Sequence, residues 1–279
     1  HYIAFDDTRY MQYARCFYSY EDLTRAASKY IWEISDLDDL QRALEKSREA
    51  GTLPSIPVFS WQKELKQVFL RTDWSQNALS LMFACRTPIQ NQHAHMDPAG
   101  FDFTAYGKPL LVDPGIYCYR DDENRRKFKS VHWHNCLTLN HQDPWRYISS
   151  WSYGEQQPGE ILHAEENGRL MYAVAEHRNY QPAVHKRAAL VDKHFLVILD
   201  LLEQTEEDSS VQINFHINSP TVAADSAKSC VCSLSADANI GVFTDDGLKP
   251  ALVPAKCSNR CDVWHDTIIA RFESEHLSA

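Results

Sequence analysis

The chain changes its pattern of apolar and polar residues near residue 52. Before that point, Leu23, Ala26, Ala27, Tyr30 and Ile31 fall at i, i+3, i+4, i+7 and i+8, one face of an amphipathic helix. Ser19 supplies its N-cap, and Glu21 and Asp22 place acids where the first turn exposes its N–H groups. A second helix is predicted from Ser35 through Leu37, Leu40 and Leu44 to Gly51, which suits a C-terminal cap, and an earlier one around Asp7–Phe17. Thr52–Pro57, with Pro54 and Pro57, breaks the pattern and reads as a linker. Three such apolar stripes cannot bury themselves, so segment 1–57 must pack on further structure.

Beyond the linker the period becomes two, over a predicted domain spanning 58–279. Leu79, Leu81, Phe83 and Cys85 alternate with smaller or polar residues, as do Phe101, Phe103 and Ala105. Leu170, Tyr172 and Val174 form another run, and Phe195, Val197 and Leu199 the next; Val211, Ile213, Phe215 and Ile217 alternate most cleanly. Further strands are predicted at Leu137–Leu139, Arg146–Tyr153, Arg187–Val191, Val231–Leu234, Gly241–Thr244 and Ile268–Phe272. Joins such as Asn167-Gly168 and Asp245-Asp246-Gly247 are turn signals, and no helical crossovers separate the strands. The expected fold is therefore mainly β, a two-sheet antiparallel β-sandwich preceded by a short α-helical segment.

Composition adds few restrictions. An apolar content of 44% with 24% charge describes a globular chain with a full core. No apolar run approaches the roughly 20 residues that cross a bilayer as a helix. The net charge of −10 argues against nucleic acid as a partner. It would also repel a polyanion, unless the local excess of five basic over three acidic residues in Arg120–Lys129 overrides it. The simpler reading of that stretch is a solvated loop. Eight cysteines are too sparse for a disulfide scaffold; Cys230-x-Cys232 and Cys257-x3-Cys261 lack zinc-ribbon spacing and read as separate thiols. The start, His1-Tyr2-Ile3-Ala4-Phe5, has no signal-peptide pattern, and the chain is expected to be a mature product or part of a longer one.

Candidate chemistry concentrates between Asn91 and Asn135. His93, His95, His134 and Asp113 are joined there by short strand-like segments, and two imidazoles with a carboxylate form a natural zinc set with a fourth position left for water. An extended Asn91–Asp97 would put His93 and His95 on one face, about 7 Å apart. Turns at Pro98-Ala99-Gly100 and Tyr106-Gly107-Lys108-Pro109 would return Asp113 to His95, and His134 would arrive on the next strand after the polar excursion 116–129. Asp97 and Asp102 could accept from the outer nitrogens of metal-bound imidazoles. Taken singly, each of these histidines is more simply a structural hydrogen-bonding residue.

The same residues carry a resemblance. His93-x-His95-x-Asp97, the aromatic strand Phe101–Tyr106, the run Gly107-x-x-Leu110-Leu111-Val112-Asp113-Pro114-Gly115 and Tyr117-x-Tyr119 resemble the sandwich domain of the heparinase II/III-type polysaccharide lyases. Phe128-x-Ser130, His134-Asn135, Trp74 and Asn214-Phe215-His216 fit as well. The resemblance implies a supersandwich preceded by the end of an α/α toroid, approached through Phe5-Asp6-Asp7. It implies cleavage of a uronic-acid-containing acidic polysaccharide or oligosaccharide by β-elimination. Carried over residue by residue, His93 and Tyr119 become catalytic, Gln92, Tyr117 and Arg125 contact substrate, and His95, Asp113 and His134 hold one structural zinc. Gln92 departs from an Asn that relatives often place there. The tyrosine and the Asn or His that the family draws from its toroid have no counterpart here and are expected before residue 1. A periplasmic or secreted location and a homodimer complete the expectations. A cupin-like metal enzyme and a noncatalytic carbohydrate-binding or scaffold module are the alternatives from other classes.

Overall fold

The computed structural model describes residues 57–86, 93–168, 170–206, 208–244 and 248–274, together with Arg42 and Glu45. The helices expected before residue 52, the residues Asn91 and Gln92, and the turn Asp245-Asp246-Gly247 lie outside the described residues. The chain divides into two compact units, His1–Pro57 and Val58–Ala279, and every element named below belongs to the second.

Strands β1 (Phe59–Gln62), β2 (Gln67–Arg71), β3 (Ser80–Ala84), β4 (Gly100–Ala105) and β5 (Lys108–Leu111) form a meander. Helix α1 (Glu123–Lys129) and a 3-10 turn (Val131–Trp133) follow, then the short β6 (Leu137–Leu139) and the hairpin β7 (Tyr147–Ser149) and β8 (Ser152–Tyr153). Next come β9 (Glu160–Asn167), β10 (Leu170–Tyr180), β11 (Ala183–Val191) and β12 (Leu196–Glu203). The chain continues through β13 (Val211–Ile217), β14 (Val222–Asp225), β15 (Cys230–Ser233), β16 (Gly241–Phe243), β17 (Lys249–Arg260) and β18 (Val263–Ser274). All of these strands pair antiparallel.

One sheet has nine strands in the order β1-β2-β3-β4-β5-β13-β18-β17, with β6 also pairing β13. The second has four, β12-β11-β10-β9, and sheets of three (β14-β15-β16) and two strands (β7-β8) complete the set. The sandwich expected from the alternation is the observed architecture, and its core shows why the two faces fit. The nine-stranded sheet contributes Phe83, Phe101, Phe103, Phe215 and Phe272, whereas the facing strands β10 and β11 contribute Ala173, Ala175 and Ala189. Large rings thus pack against small side chains across the layer.

Turn chemistry agrees with the strand joins. Tyr106 and Gly107 both have positive φ (54° and 70°), the two-residue turn whose twist matches a β-hairpin. Pro98-Ala99-Gly100 also turns as expected, with Gly100 N–H donating to Asp97 O at 3.0 Å. Two expectations are corrected. Arg120–Lys129 is not a solvated loop: it contains α1, capped by Asp122 accepting from Arg125 N–H, and Arg125 and Lys129 are fully buried. His93–Asp97 forms no strand, so His93 and His95 do not share a strand face. All seven described cysteines are free thiols. No helix among the described residues is long and apolar enough to cross a membrane.

Candidate metal and substrate site

The site is built at a break in the nine-stranded sheet. Strands β5 and β6 lie on the same side of β13, β5 meeting it at Ile217 and β6 at Val211–Ile213. Between Leu111 and Leu137 the chain leaves the ladder, and the excursion carries Asp113, α1 and His134. His216 of β13 bridges the gap: its carbonyl accepts from Val112 N–H (3.0 Å), and its N–H donates to the Asn135 side-chain oxygen (2.7 Å). Asn135 also donates to the carbonyls of Phe101 (2.7 Å) and Val112 (3.2 Å). A buried amide thus replaces missing ladder partners on three segments at once, which fixes the residue next to His134.

The excursion brings three donors together. His95 Nδ1 lies 2.9 Å from His134 Nε2 and 3.3 Å from Asp113 Oδ2, and His134 Nε2 lies 3.2 Å from that same oxygen. A triangle of this size has a point about 2.0–2.1 Å from each corner, slightly out of plane, the bond length zinc takes to imidazole and carboxylate. His134 Nδ1 donates to Ser130 O at 2.8 Å, which turns Nε2 toward the centre. That carbonyl occupies the role expected of Asp97 or Asp102. Asp102 instead accepts from Asp113 N–H (2.6 Å), and Asp113 Oδ1 accepts from Gly115 N–H (2.7 Å), so the ligand's own loop is held. His95 Nε2 is buried without a partner among the described residues, where the triad orients that ring. His134 does not arrive on a strand; it caps the end of the 3-10 turn, where one short helical turn aims it inward.

Electrostatics sharpen the triad. Burial drives Asp113 up, but the imidazoles of His95 and His134 outweigh it and hold the carboxyl well below its usual range. Burial drives His134 down, and Asp113 overrides it, raising the ring to about 9. Asp102 is raised to about 7 by burial and by the charge of Asp113 beside it. The cluster therefore holds one stable carboxylate and a demand for positive charge, a donor set that a divalent cation satisfies.

His93 lies just outside, exposed. Its ring meets Tyr119 edge-on at 5.4 Å and Trp151 at 5.3 Å, and Tyr119 and Trp151 stack with ring planes 4° apart. Tyr119 is 42% and Trp151 37% exposed, so this aromatic platform faces solvent. Beneath it, the Arg125 guanidinium sits 5.4 Å from the Tyr119 ring centre; Nη1 donates to Ile116 O (3.3 Å), while Nε and Nη2 are buried without partners among the described residues. Lys129 is the second buried cation, donating to Ala94 O (3.0 Å) and Tyr153 Oη (2.9 Å); burial and the charge of Arg125 lower it to about 8. Tyr153 Oη also donates to Ala94 O (2.5 Å), and Lys129 O accepts from Met96 N–H (2.9 Å). These bonds replace the expected strand as the support for His93 and His95. Tyr117 packs between Phe128 (5.4 Å) and Trp264 (4.4 Å).

The profile of the heparinase II/III-like C-terminal family matches residues 67–267, which contain the described part of this site. The chain belongs to that family. Solved structures share the fold. A heparinase III gene product superposes with a TM-score of 0.72 at 16% identity, over 93% of this chain and 40% of its own. Heparan sulfate lyase HepC from Pedobacter heparinus gives 0.72 at 16%, over 92% and 39%. A further heparinase III structure gives 0.68 at 18%, over 89% and 39%. The chain thus spans about 40% of the length of these relatives. No curated protein matches the sequence.

Within this heparinase II/III-like domain, sequence reasoning missed Trp151, Lys129, Tyr153 and Asn135 as parts of the site. Trp151 and Tyr153 fall inside the single strand expected over Arg146–Tyr153; the stretch is instead the tight hairpin β7–β8, whose turn carries Trp151. Lys129 appeared only as one charge in a mixed run, and its burial depends on α1 forming.

Proposed function

We propose that this domain forms one wall of the active cleft of a polysaccharide lyase that cleaves uronic-acid-containing polymers by β-elimination, with a structural zinc held by His95, Asp113 and His134. The observation that supports it is the position of His93: exposed on a stacked Tyr119–Trp151 platform above a buried, carboxylate-free Arg125, beside the His-Asp-His triad.

In β-elimination the C5 proton passes to a base, its electron pair forms the C4–C5 double bond, and the C4–O4 bond breaks as O4 gains a proton. His93 supplies the base or acid within reach of bound sugar. The Tyr119 phenol is the second proton-carrying group on this wall. Arg125 lies under the ring rather than at the surface, so it acts through its field, favouring a carboxylate and the charge that develops on it in a site shielded from water. Tyr117 lines the wall as a packed aromatic, and Gln92 is assigned a substrate contact next to His93. Bound zinc would supply charge that ties the His95, Asp113 and His134 segments together, and the proton transfers belong to the side chains.

The test is incubation of full-length protein with alginate, heparan sulfate and chondroitin sulfate, following ultraviolet absorbance from unsaturated ends. Absorbance should rise with at least one polymer. No rise with any of them contradicts the lyase reading and favours a noncatalytic binding module.

A further inference from the structure

Away from the triad, a polar cavity of about 630 Å³ opens between the start of β7, the end of β10 and α1. Its lining includes Arg126, Arg146, Asn140, Gln142, Gln181 and Tyr147. In a chain with a net charge of −10, the two guanidinium groups there have no carboxylate partner among the described residues. Arg126 lies over the Tyr147 ring at 5.2 Å. The one acid in the lining, Asp143, has an oxygen occupied by Ser130 Oγ (2.8 Å) and Val131 N–H (3.0 Å), which ties it to the 3-10 turn. The indole N–H of Trp145, a buried lining residue, has no acceptor among the described residues. Two cations without a carboxylate partner among the described residues, the amides of Gln142 and Gln181 and the Arg126-capped Tyr147 ring in one concavity are the equipment for an anionic, hydroxyl-rich ligand.

Two elements connect this cavity to the His93 platform. On α1, Arg125 sits under Tyr119 while its neighbour Arg126 lies over Tyr147. On the β7–β8 hairpin, Tyr147 lines the cavity while Trp151 stacks on Tyr119. Tyr147 and Trp151 are four positions apart on the β7–β8 hairpin, so at most about 14 Å of chain separates them. That limit lies within reach of a short oligosaccharide.

We propose that this cavity is a distal subsite for an acidic sugar residue of the same polymer whose scissile bond lies at His93. The proposal rests on the lyase reading for the identity of the polymer, while the cavity's preference for anionic sugar stands on its own lining. The distal subsite makes the protein favour oligosaccharides and polymers over disaccharides, because a disaccharide is too short to fill both places.

The test compares full-length wild type with an Arg126→Ala/Arg146→Ala double variant and an Arg126→Lys/Arg146→Lys control. The probes are uronate disaccharides and dodecasaccharides from alginate, chondroitin sulfate and heparan sulfate, with neutral cello-oligosaccharides alongside. Affinity is read by calorimetry and KM by unsaturated-end absorbance. Loss of two charge-assisted contacts should weaken dodecasaccharide binding and raise its KM by about tenfold, with disaccharide binding changed less than about twofold and the Lys control near wild type. Equal behaviour of the double variant and wild type on dodecasaccharides overturns the subsite, as does an effect that is the same at both lengths, or neutral chains binding as well as acidic ones. If wild type cleaves nothing yet the double variant loses dodecasaccharide binding, the lyase reading fails and the anionic-sugar site stands. If wild type cleaves and the double variant is unaltered, the reverse holds.

Discussion

His93 and His95 are two positions apart and face opposite chemistry. His95 is buried with Nδ1 among nitrogen and oxygen donors, and His93 is exposed against two aromatic rings. A ligand whose ring the triad orients cannot be replaced by its neighbours, so His95→Ala should lose the metal outright. Elemental analysis should fall from about one zinc per chain to nearly none, and Tm should drop by several degrees as binding energy leaves the folded state. Retention of zinc by that variant would sink the ligand assignment. Trp151 presents a broad apolar face at low entropic cost. Trp151→Ala should raise KM for uronate oligosaccharides about tenfold, and Trp151→Phe should keep most of the affinity; equal KM values for all three forms would remove Trp151 from the site.

At the scale of elements, the break between β5 and β6 depends on tight backbone approaches. Gly115 has φ +79° and bridges to Ser258 of β17, and a Cβ there would overlap the Ser258 carbonyl oxygen. Gly115→Ala should cost about 2 kcal/mol or more and lower Tm by at least about 4 °C, with weakened zinc retention because Asp113 sits two residues away. A Tm equal to wild type in thermal denaturation would contradict the packing described.

Which elements were legible follows from their physics. Val211–Ile217 and Leu79–Cys85 alternate because each is a ladder strand with a buried face, and both appear as β13 and β3. Strand β17 was not recognised, because Pro250 and Pro254 argue against a strand; it lies at the sheet edge, where a missing N–H is tolerated. Asp113 beside His95 followed from turn chemistry. The route of His134 did not, since a three-residue 3-10 turn leaves no periodic trace, and an exposed aromatic such as Trp151 in a tight turn carries none either.

Across the whole molecule, the two main sheets are braced by one buried polar chain. Arg187 of β11 donates to both oxygens of Asp200 (2.7 and 3.0 Å) and reaches across the layer to the carbonyls of Ala99 (3.1 Å) and Asn135 (2.9 Å). His185 joins Asp200 at 2.7 Å and His177 at 2.8 Å. The arrangement suits neutral imidazoles donating in sequence toward Asp200. Burial first, then neighbouring positive charge, holds His177 well below its ordinary value; burial lowers His185 despite Asp200, and burial brings His216 to about 4. These bases have folded pKa values below the unfolded value of about 6.5, so the unfolded chain binds more protons as pH falls through that window. The contribution of these three histidines should be full above about pH 6.5 and decline toward pH 4.5, where His216 alone accounts for roughly 2 kcal/mol, opposed in part by Asp102, whose raised pKa of about 7 works in the other direction. Thermal denaturation across that range should show Tm falling by several degrees, and a flat profile would contradict the neutral buried histidines.

The division of labour in this wall is tested most directly by the lyase rate of zinc-loaded, full-length His93→Ala. One zinc per chain with a rate at least about a hundredfold below wild type is the expected result. A rate within about twofold of wild type, with zinc in place, would contradict the assignment of His93 to the chemistry.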